Sequence, residues 1–419
     1  MTGHRGNVKC IEFVGEEGRS IASGSSDNTL RIWDTETSAV TVLEGHTSRI
    51  WDASSTKAGG FVASASGDGN LWELKGAKPT CAATLTGHCG DVYSVKFHPS
   101  ESHVATGGYD KVVRLFDVNT GTIVKTFSGH QLSVSKTIFN PLGNLIERHD
   151  SPRFLFAFLP PLTNSSKDNT IKFWDIVSGL CIRTITSHLG EVTSVEMNAS
   201  GMLLLSSSKD NSNRLWDVRT VSNNADIDHQ ILIIMEEKSG SCVQHASSHI
   251  FPVQGIVLEK PIRKLKGHQN TSKNFIRAGF AHSNLIVGGS EDGIVYIWDQ
   301  ETGEVLQKLR GHDGGPVYSA VWNNRQSLLA SCGDDRTVRT WCWREDGTFE
   351  QIPEVSWENE LYEGGEFGQR VDEVSSKSPP VRQEKVHTII SHVLCKPDIN
   401  GLVYIICVGH VQELEISIL

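Results

Sequence analysis

The sequence lacks three features that would each define another class of protein. It has no run of about 18 apolar residues, the length that a membrane-spanning helix needs. Its first residues, Met1 to Gly6, contain no apolar stretch of the roughly 7 to 15 residues typical of a signal peptide. Its nine cysteines include no Cys-x-x-Cys pair, which argues against a zinc site or a disulfide framework. We therefore expect an intracellular protein, nuclear or cytoplasmic, without membrane contact, metal or cofactor.

A surplus of basic charge is also missing. The 419 residues include 39 Lys plus Arg and 49 Asp plus Glu, which gives a formal charge of −10. Because no basic stripe is present to contact phosphates, we expect no direct nucleic-acid partner. The acidity is concentrated in residues 344–374, which contain ten acidic and two basic side chains. Such a segment is typical of a solvated linker, and a docking strip for a basic partner is the alternative.

The most prominent pattern present is an internal repeat. The dipeptide Gly-His recurs at three consecutive intervals of 42 residues and begins two later units at Gly267-His268 and Gly311-His312, and Ser187-His188 marks one further start. The seven starting histidines are His4, His46, His88, His130, His188, His268 and His312. Trp-Asp or a near variant closes each unit, as at Trp33-Asp34 and Trp298-Asp299. After each histidine comes an alternating apolar stretch, then a short apolar run and a tight polar turn, a pattern that predicts antiparallel strands.

A period of about 40 to 45 residues with Gly-His at the start and Trp-Asp at the end is the signature of the WD40 repeat. Residues 3 to 343 resemble that family. The resemblance implies an all-β, seven-bladed β-propeller of four-stranded antiparallel sheets, with irregular insertions and a C-terminal extension. It also implies a protein that binds other proteins and performs no catalysis.

In this family the loop histidine, a strand hydroxyl, a turn aspartate and the strand tryptophan form a hydrogen-bonded chain inside each blade. Four sets look complete: His4, Ser23, Asp27 and Trp33; His46, Ser64, Asp68 and Trp72; His188, Ser206, Asp210 and Trp216; His312, Ser331, Asp335 and Trp341. Two look incomplete: His88, Thr106 and Asp110, followed by Phe116, and His268, Asp292 and Trp298, with Gly288 in the hydroxyl position. We expect these two blades to be less tightly tied.

The repeat is interrupted at several places, which sets the predicted boundaries. The propeller is expected over residues 1–343, with insertions at about 147–163 and 222–259 that are either native or artefacts of the gene structure. An acidic linker over 344–380 and a hairpin-like extension over 381–419 follow. The second unit has Asp68 and Trp72 only four residues apart, which predicts a short third strand. Because Gly3-His4 begins so early, residues 348–355 are expected to complete the last blade.

No catalytic motif accounts for the histidines. The sequence has no Gly-x-Ser-x-Gly, no Walker loop and no Gly-x-Gly-x-x-Gly after a strand. The His and Asp residues recur identically in each unit, which favours a structural role over a hydrolytic site. We therefore predict that the protein is not an enzyme.

Binding at the mouth of the propeller channel is the natural function. By strand alternation, one residue of each first strand should point toward the channel. These positions are Lys9, Trp51, Tyr93, Ser135, Thr193, Ile276 and Tyr318. Aromatic residues on an exposed rim anchor protein ligands, and relatives of this family bind short peptides, including histone tails, there. The alternative is that these aromatics only fill the channel.

One short motif points to a second function. Trp216-Asp217-Val218-Arg219 matches the Trp-Asp-x-Arg form that docks some family members onto the adaptor of cullin-4 ubiquitin ligases. The exposed guanidinium of Arg219 would supply planar donors to acceptors on that adaptor. The sequence thus predicts a scaffold of a chromatin, transcription or RNA-processing complex, with a ligase substrate receptor as the alternative.

Overall fold

The computed structural model describes residues 1–37, 39–68, 70–73, 80–142, 162–218, 256–257, 260–272, 274–282, 284–344, 346–352, 394–397 and 403–406. Every regular element in these ranges is a β-strand. They contain no helix, and hence none of a length and hydropathy that would cross a membrane.

All strand pairs but one are antiparallel, and within each sheet the strands lie side by side in the order in which they occur along the chain. The first three sheets contain β1 (Val8–Val14), β2 (Ser20–Ser25), β3 (Leu30–Asp34) and β4 (Val40–Leu43); β5 (Asp52–Ser55), β6 (Phe61–Ala65), β7 (Asn70–Glu73) and β8 (Thr80–Thr84); β9 (Val92–Phe97), β10 (His103–Gly108), β11 (Val112–Asp117) and β12 (Ile123–Ser128). The third strand of the second sheet, β7, is shorter than β3 and β11, at the place where Asp68 and Trp72 are only four residues apart.

Four further sheets follow. The fourth contains β13 (Val134–Phe139), β14 (Leu162–Ser166), β15 (Ile171–Trp174) and β16 (Cys181–Ile185). The fifth contains β17 (Val192–Met197), β18 (Leu203–Ser208), β19 (Ser212–Asp217) and β21 (Arg263–Leu265). Strand β20 (Ile256–Val257) lies between β19 and β21 in the chain but belongs to the fourth sheet. The sixth and seventh contain β22 (Ala278–Phe280), β23 (Leu285–Gly288), β24 (Ile294–Asp299) and β25 (Val305–Arg310); β26 (Val317–Asn323), β27 (Leu328–Gly333), β28 (Val338–Trp343) and β29 (Phe349–Gln351).

The first strands of these sheets form a closed ring. Each of β1, β5, β9, β13, β17, β22 and β26 contacts the next, and β26 contacts β1. In β1, Val8, Cys10 and Phe13 are buried, whereas Lys9 and Glu12 are half-buried, and both line cavities on the channel. The ring therefore surrounds a channel lined by side chains of its innermost strands.

The core lies between neighbouring sheets. One apolar cluster joins Cys10, Ala22 and Leu30 of the first sheet to Ile50 and Val62 of the second. Six comparable clusters occur among the described residues. Because each sheet buries apolar side chains on both faces, it is held by its two neighbours.

Tight turns connect the second and third strands. The residue after the turn aspartate has a left-handed φ at Asn28 (67°), Lys111 (69°), Asn169 (66°), Asn211 (57°) and Arg336 (65°). Asparagine tolerates this conformation better than most residues. The turn aspartate therefore sits at a fixed place beside the loop histidine of the same sheet.

The structure corrects one predicted boundary. Leu162 and Thr163, assigned to an insertion by spacing, belong to β14, where Leu162 pairs with Phe139 and Trp174 and is fully buried. The strand requires an apolar residue there, and Leu162 supplies it after the interruption. Residues 143–161 lie outside the described ranges.

One strand departs from a uniform four-stranded plan. Six of the sheets have four strands, whereas the fourth gains β20, which pairs in parallel with β16. This pairing uses two residues of the predicted 222–259 excursion, the remainder of which lies outside the described ranges. A sequence pattern based on Trp-Asp does not detect a two-residue strand added at an edge.

The last sheet is completed from the C-terminal side by β29, whose residues fall within 348–355. Its contact with the first sheet includes the Val338 amide, which donates to the Met1 carbonyl at 3.0 Å. Residues 360–419 form a separate unit, in which β30 (Leu394–Pro397) and β31 (Val403–Ile406) make an antiparallel hairpin.

Candidate functional site

An aromatic cluster occupies one mouth of the channel. The ring centroids of Trp51 and Tyr93 are 5.2 Å apart with the planes at 89°, and Phe275 lies 5.7 Å from Trp51 and 5.2 Å from Tyr93. Such edge-to-face contacts hold aromatic rings in fixed positions. Trp51 and Phe275 are half-buried, so each offers part of its ring to solvent.

Cationic side chains lie over the aromatic rings of this mouth. Lys9 Nζ is 3.8 Å from the centroid of the Tyr318 ring, and Arg49 Cζ is 5.5 Å from that of Trp51. A cavity of about 200 Å³ opens beside them. Its lining consists of Lys9, Arg49, Trp51, Asn274, Phe275, Arg277 and Tyr318. We call this set of residues the mouth.

Four of the seven predicted channel positions contribute to the mouth or its aromatic cluster: Lys9, Trp51, Tyr93 and Tyr318. The other three do not. Ser135, Thr193 and Ile276 are 2%, 1% and 1% exposed, so they offer no surface to a partner. Thr193, for example, donates to the Ile276 carbonyl at 2.7 Å.

Phe275 is not among the predicted channel positions, because the spacing from the loop histidine selects the next residue, Ile276. The chain between His268 and β22 is longer than the corresponding loops, and Ile276 turns inward while Phe275 turns toward Trp51. An aromatic residue directly before the selected position was the available signal.

A buried charge network lies deeper in the channel. Asp52, 1% exposed, accepts from Arg277 Nη1 at 2.6 Å, from Lys136 Nζ at 2.7 Å and from the Val95 amide at 3.1 Å. Burial disfavours the ionised carboxyl, but the charges of Arg277 and Lys136 outweigh it and lower the pKa of Asp52 to about 2. The network spans three sheets and fixes the channel wall beneath the mouth.

The opposite end of the channel contains a cavity of about 520 Å³ with further ionisable groups. Lys96 Nζ pairs with Glu12 Oε1 at 2.8 Å. Glu196 also lines this cavity, and burial raises its pKa to about 7 despite the nearby Lys96 ammonium. The charge of the Glu196 carboxyl therefore changes near neutral pH.

Three of the predicted blade sets have all four members hydrogen-bonded. The histidine Nε2 lies 2.8 Å from the serine Oγ in the His4–Ser23 pair, 2.7 Å in His188–Ser206 and 2.8 Å in His312–Ser331. The histidine Nδ1 lies 3.0 Å from Asp27, 2.9 Å from Asp210 and 3.0 Å from Asp335, respectively. The tryptophan Nε1 donates to the same serine at 2.7 Å from Trp33, 2.8 Å from Trp216 and 3.0 Å from Trp341. Each set satisfies buried polar groups internally.

The electrostatics of the His188 set favour a neutral imidazole beside an ionised carboxylate. Burial lowers the pKa of His188. Burial also disfavours the charge on Asp210, but hydrogen bonds from His188 and Ser212 outweigh this and hold the pKa of Asp210 below its ordinary value. The imidazoles thus brace the blades.

Two other sets are partly formed. His46 lies 2.6 Å from both Ser64 and Asp68, and the side chain of Trp72 is outside the described part of the chain. His88 lies 2.7 Å from Thr106 Oγ1 and 2.9 Å from Asp110 Oδ1. In that sheet Arg114 Nη1 donates to Asp110 and adds a bond where the indole donor is missing.

The predicted set of His268, Asp292 and Trp298 does not form. Among the described residues, neither ring nitrogen of His268 has a hydrogen-bond partner, although His268 is only 3% exposed. Asp292 accepts from Tyr296 at 2.8 Å, and Trp298 donates to the Lys266 carbonyl at 2.9 Å. The reason is Gly288, which offers no hydroxyl to join the two rings.

One complete set was missed in the fourth sheet. Asn164 Oδ1 accepts from His130 Nε2 at 2.6 Å and from Trp174 Nε1 at 3.1 Å, and His130 Nδ1 lies 2.8 Å from Asp168 Oδ2. Asparagine takes the position of the serine, and the interruption before β14 hides the usual spacing. The signal was Asp168-Asn169, which matches the turn of the other units.

Arg219 lies outside the described residues. Its motif begins at the end of β19, and the carbonyl of Val218 accepts from Arg183 Nη1 at 2.7 Å. Within the described ranges, no group of three His, Cys, Asp or Glu side chains is placed to hold a metal ion.

A closed ring of antiparallel sheets, braced by histidine, hydroxyl or amide, and aspartate, defines a β-propeller. A family model for the WD domain, G-beta repeat, matches seven segments: residues 1–34, 37–72, 79–117, 121–175, 179–217, 259–299 and 303–342. These segments make up more than half of the chain, which therefore belongs to the WD-repeat family.

Several curated proteins are similar to this chain. It is 27% identical over 355 residues to nuclear distribution protein nudF 1 of Talaromyces marneffei, covering 83% of this chain and 60% of that protein. It is 27% identical over 312 residues to the WD repeat-containing protein 26 homolog of Arabidopsis thaliana, covering 72% and 49%. It is 32% identical over 152 residues to transcription initiation factor TFIID subunit 5 of Caenorhabditis elegans, covering 36% and 23%. The chain thus spans 60% or less of the length of these relatives.

Proposed function

We propose that this chain is a non-catalytic scaffold whose seven-bladed ring binds peptide segments of partner proteins at the mouth. The observation that carries the proposal is the cluster of Trp51, Tyr93 and Phe275, three mutually packed rings at an open end of the channel. Aromatic side chains held rigidly at a pocket are favoured anchors for protein ligands, because little conformational entropy is lost when they bind.

The type of complex is a finer step of the same proposal. A chromatin, transcription or RNA-processing assembly is supported by the similarity to a TFIID subunit. A nuclear or cytoplasmic location is consistent with such an assembly. No direct nucleic-acid contact is needed, because partners would supply it.

Affinity purification with quantitative mass spectrometry tests the mouth. We expect Trp51→Ala combined with Phe275→Ala to lose a defined subset of the partners recovered with the unchanged protein. Trp322→Ala is the matched control, since Trp322 is an aromatic residue lining the cavity at the other end of the channel. Equal recovery of all partners by the mouth variant would contradict the proposal.

The alternative function, a substrate receptor of a cullin-4 type ubiquitin ligase, is carried by the Trp216-Asp217-Val218-Arg219 motif at the end of β19. The same purification separates the two functions. Recovery of cullin-4 and its adaptor that is lost in Arg219→Ala supports the receptor. Recovery that persists in that variant removes the motif from consideration.

A further inference from the structure

We infer that the partner segment bound at the mouth is acidic, with Asp or Glu side chains next to an apolar or aromatic residue. The inference rests on the proposed function of the mouth and adds the chemistry of its ligand. Its basis is the set of cations around the aromatic cluster: Lys9, Arg49 and Lys167.

Each of these cations stacks on a ring and pairs with no carboxylate among the described residues. Lys9 lies over Tyr318 and Arg49 over Trp51, at the distances given above. Lys167 Nζ lies 5.1 Å from the Tyr93 centroid and 5.2 Å from that of Phe275. Contact with an aromatic face stabilises a cation by less than a buried carboxylate does. These three cations can therefore still form an ion pair with an anion that a ligand supplies.

The acidic side chains nearest to the mouth already have partners. Asp91 Oδ2 accepts from the Trp51 indole at 3.3 Å, and Asp334 accepts from the Tyr318 hydroxyl. Both carboxylates therefore fix the orientation of mouth aromatics. Neither forms an ion pair with Lys9 or Arg49 among the described residues.

The surroundings of Lys167 show the same imbalance. Glu191, the acidic group near it, pairs at 2.6 Å with Lys209. Burial lowers the pKa of Lys167 and that of Lys9, and for each lysine the nearby acid only partly offsets this effect. A carboxylate brought by a ligand would restore favourable electrostatics at both ammonium groups.

The cavity also disfavours a basic ligand. The charged residues that line it are Lys9, Arg49 and Arg277, and no carboxylate is among its lining residues. A lysine or arginine entering it would meet the like charges of Lys9 and Arg49 in a partly desolvated site, whereas the charge of Arg277 is paired with Asp52. An apolar side chain of the ligand would instead contact the half-buried rings of Trp51 and Phe275, while flanking carboxylates reach the cations.

A display experiment with a random 12-residue peptide library, selected on the full chain, tests the inference. We expect the enriched peptides to combine net negative charge with an apolar or aromatic residue. Enrichment should fall at least tenfold on the triple variant Lys9→Gln, Arg49→Gln, Lys167→Gln. Enrichment should be unchanged on the matched control, Lys308→Gln. Lys308 lies on the outer strand β25, and its ammonium lies 5.1 Å from the centroid of the Tyr296 ring. Circular dichroism verifies that each variant is folded.

The outcomes separate this inference from the proposed function. Basic or neutral peptides that are lost on Trp51→Ala would keep the mouth as a binding site and overturn its acidic preference. Acidic peptides that bind the triple variant unchanged would also overturn it. No enrichment beyond that on Trp51→Ala would overturn peptide binding at the mouth and the acidic preference together.

Discussion

Arg277 donates to Asp52 across the channel at 2.6 Å, and this bond joins two sheets that are not neighbours in the ring. Arg277 directly precedes β22 of the sixth sheet, and Asp52 begins β5 of the second. Arg277 Nη2 also donates to the Trp51 carbonyl at 2.8 Å. The pair therefore couples the ring across its centre and places the backbone of a mouth aromatic.

We expect Arg277→Met to destabilise the propeller by about 3 kcal/mol, because removing one partner of a buried ion pair leaves the other charge uncompensated. Lys136 remains bonded to Asp52, which keeps the loss at the lower end of the range for such changes. Chemical unfolding measures the effect. The control is Arg325→Met, whose pair with Glu17 is exposed on both sides and contributes about 1 kcal/mol or less. Equal stability of the two variants would refute the role of the buried pair.

The pKa of Glu196 predicts a pH-dependent stability. Its folded value of about 7 lies above the ordinary 4.5, so the folded protein binds the proton more tightly than the unfolded chain does. Stability should therefore fall as the pH rises from about 4.5 to 7. Glu196→Gln removes this loss, and we expect it to raise the free energy of unfolding by about 1 to 3 kcal/mol at pH 8. The increase should vanish near pH 4.5, and thermal unfolding at the two pH values measures it. A gain of equal size at both would contradict the assignment.

The repeat was predictable because one physical requirement recurs at a fixed spacing. A buried histidine needs an acceptor on the second strand and a carboxylate in the following turn, and both lie at nearly constant distances along the chain. His188, Ser206 and Asp210 could be paired because the resemblance to the WD40 repeat implies such a set and their spacing matches it. Asn164 could not, because an interruption and a change of residue type concealed the same geometry.

The mouth was predictable only in part. Strand alternation identifies Trp51 and Tyr93, since it depends on neighbours in the chain. The approach of Phe275 to these rings depends on how the loop before β22 folds across the channel. The Asp52 to Arg277 bond likewise depends on the curvature of the closed ring, for which no local spacing is diagnostic.

Adjacent serines on β18 allow the hydrogen-bonded sets to be tested directly. Ser206 bonds both His188 and Trp216, whereas the hydroxyl of the equally buried Ser207 has no partner among the described residues. We expect Ser206→Ala to cost about 2 to 4 kcal/mol, because it leaves the buried Trp216 indole N–H without an acceptor and the buried His188 Nε2 without a donor. Ser207→Ala should be neutral or slightly stabilising. Chemical unfolding of both variants provides the comparison, and similar losses would show that the network adds no specific stability.

His268 provides the complementary test, since it is a buried imidazole with no hydrogen-bond partner in the part of the chain that the structure describes. Burial lowers its pKa to about 4, below the ordinary 6.5, so the unfolded chain binds its proton more readily. Its contribution to stability is therefore lost as the pH falls from about 6.5 to 4. We expect His268→Phe to be neutral or stabilising at pH 7 and more strongly stabilising at pH 5, because phenylalanine carries no buried polar atoms. The corresponding His188→Phe should cost about 2 to 4 kcal/mol at pH 7, since Ser206 and Asp210 lose their partner. Thermal unfolding measures both, and a comparable loss in the two variants would show that His268 has bonds equivalent to those of His188.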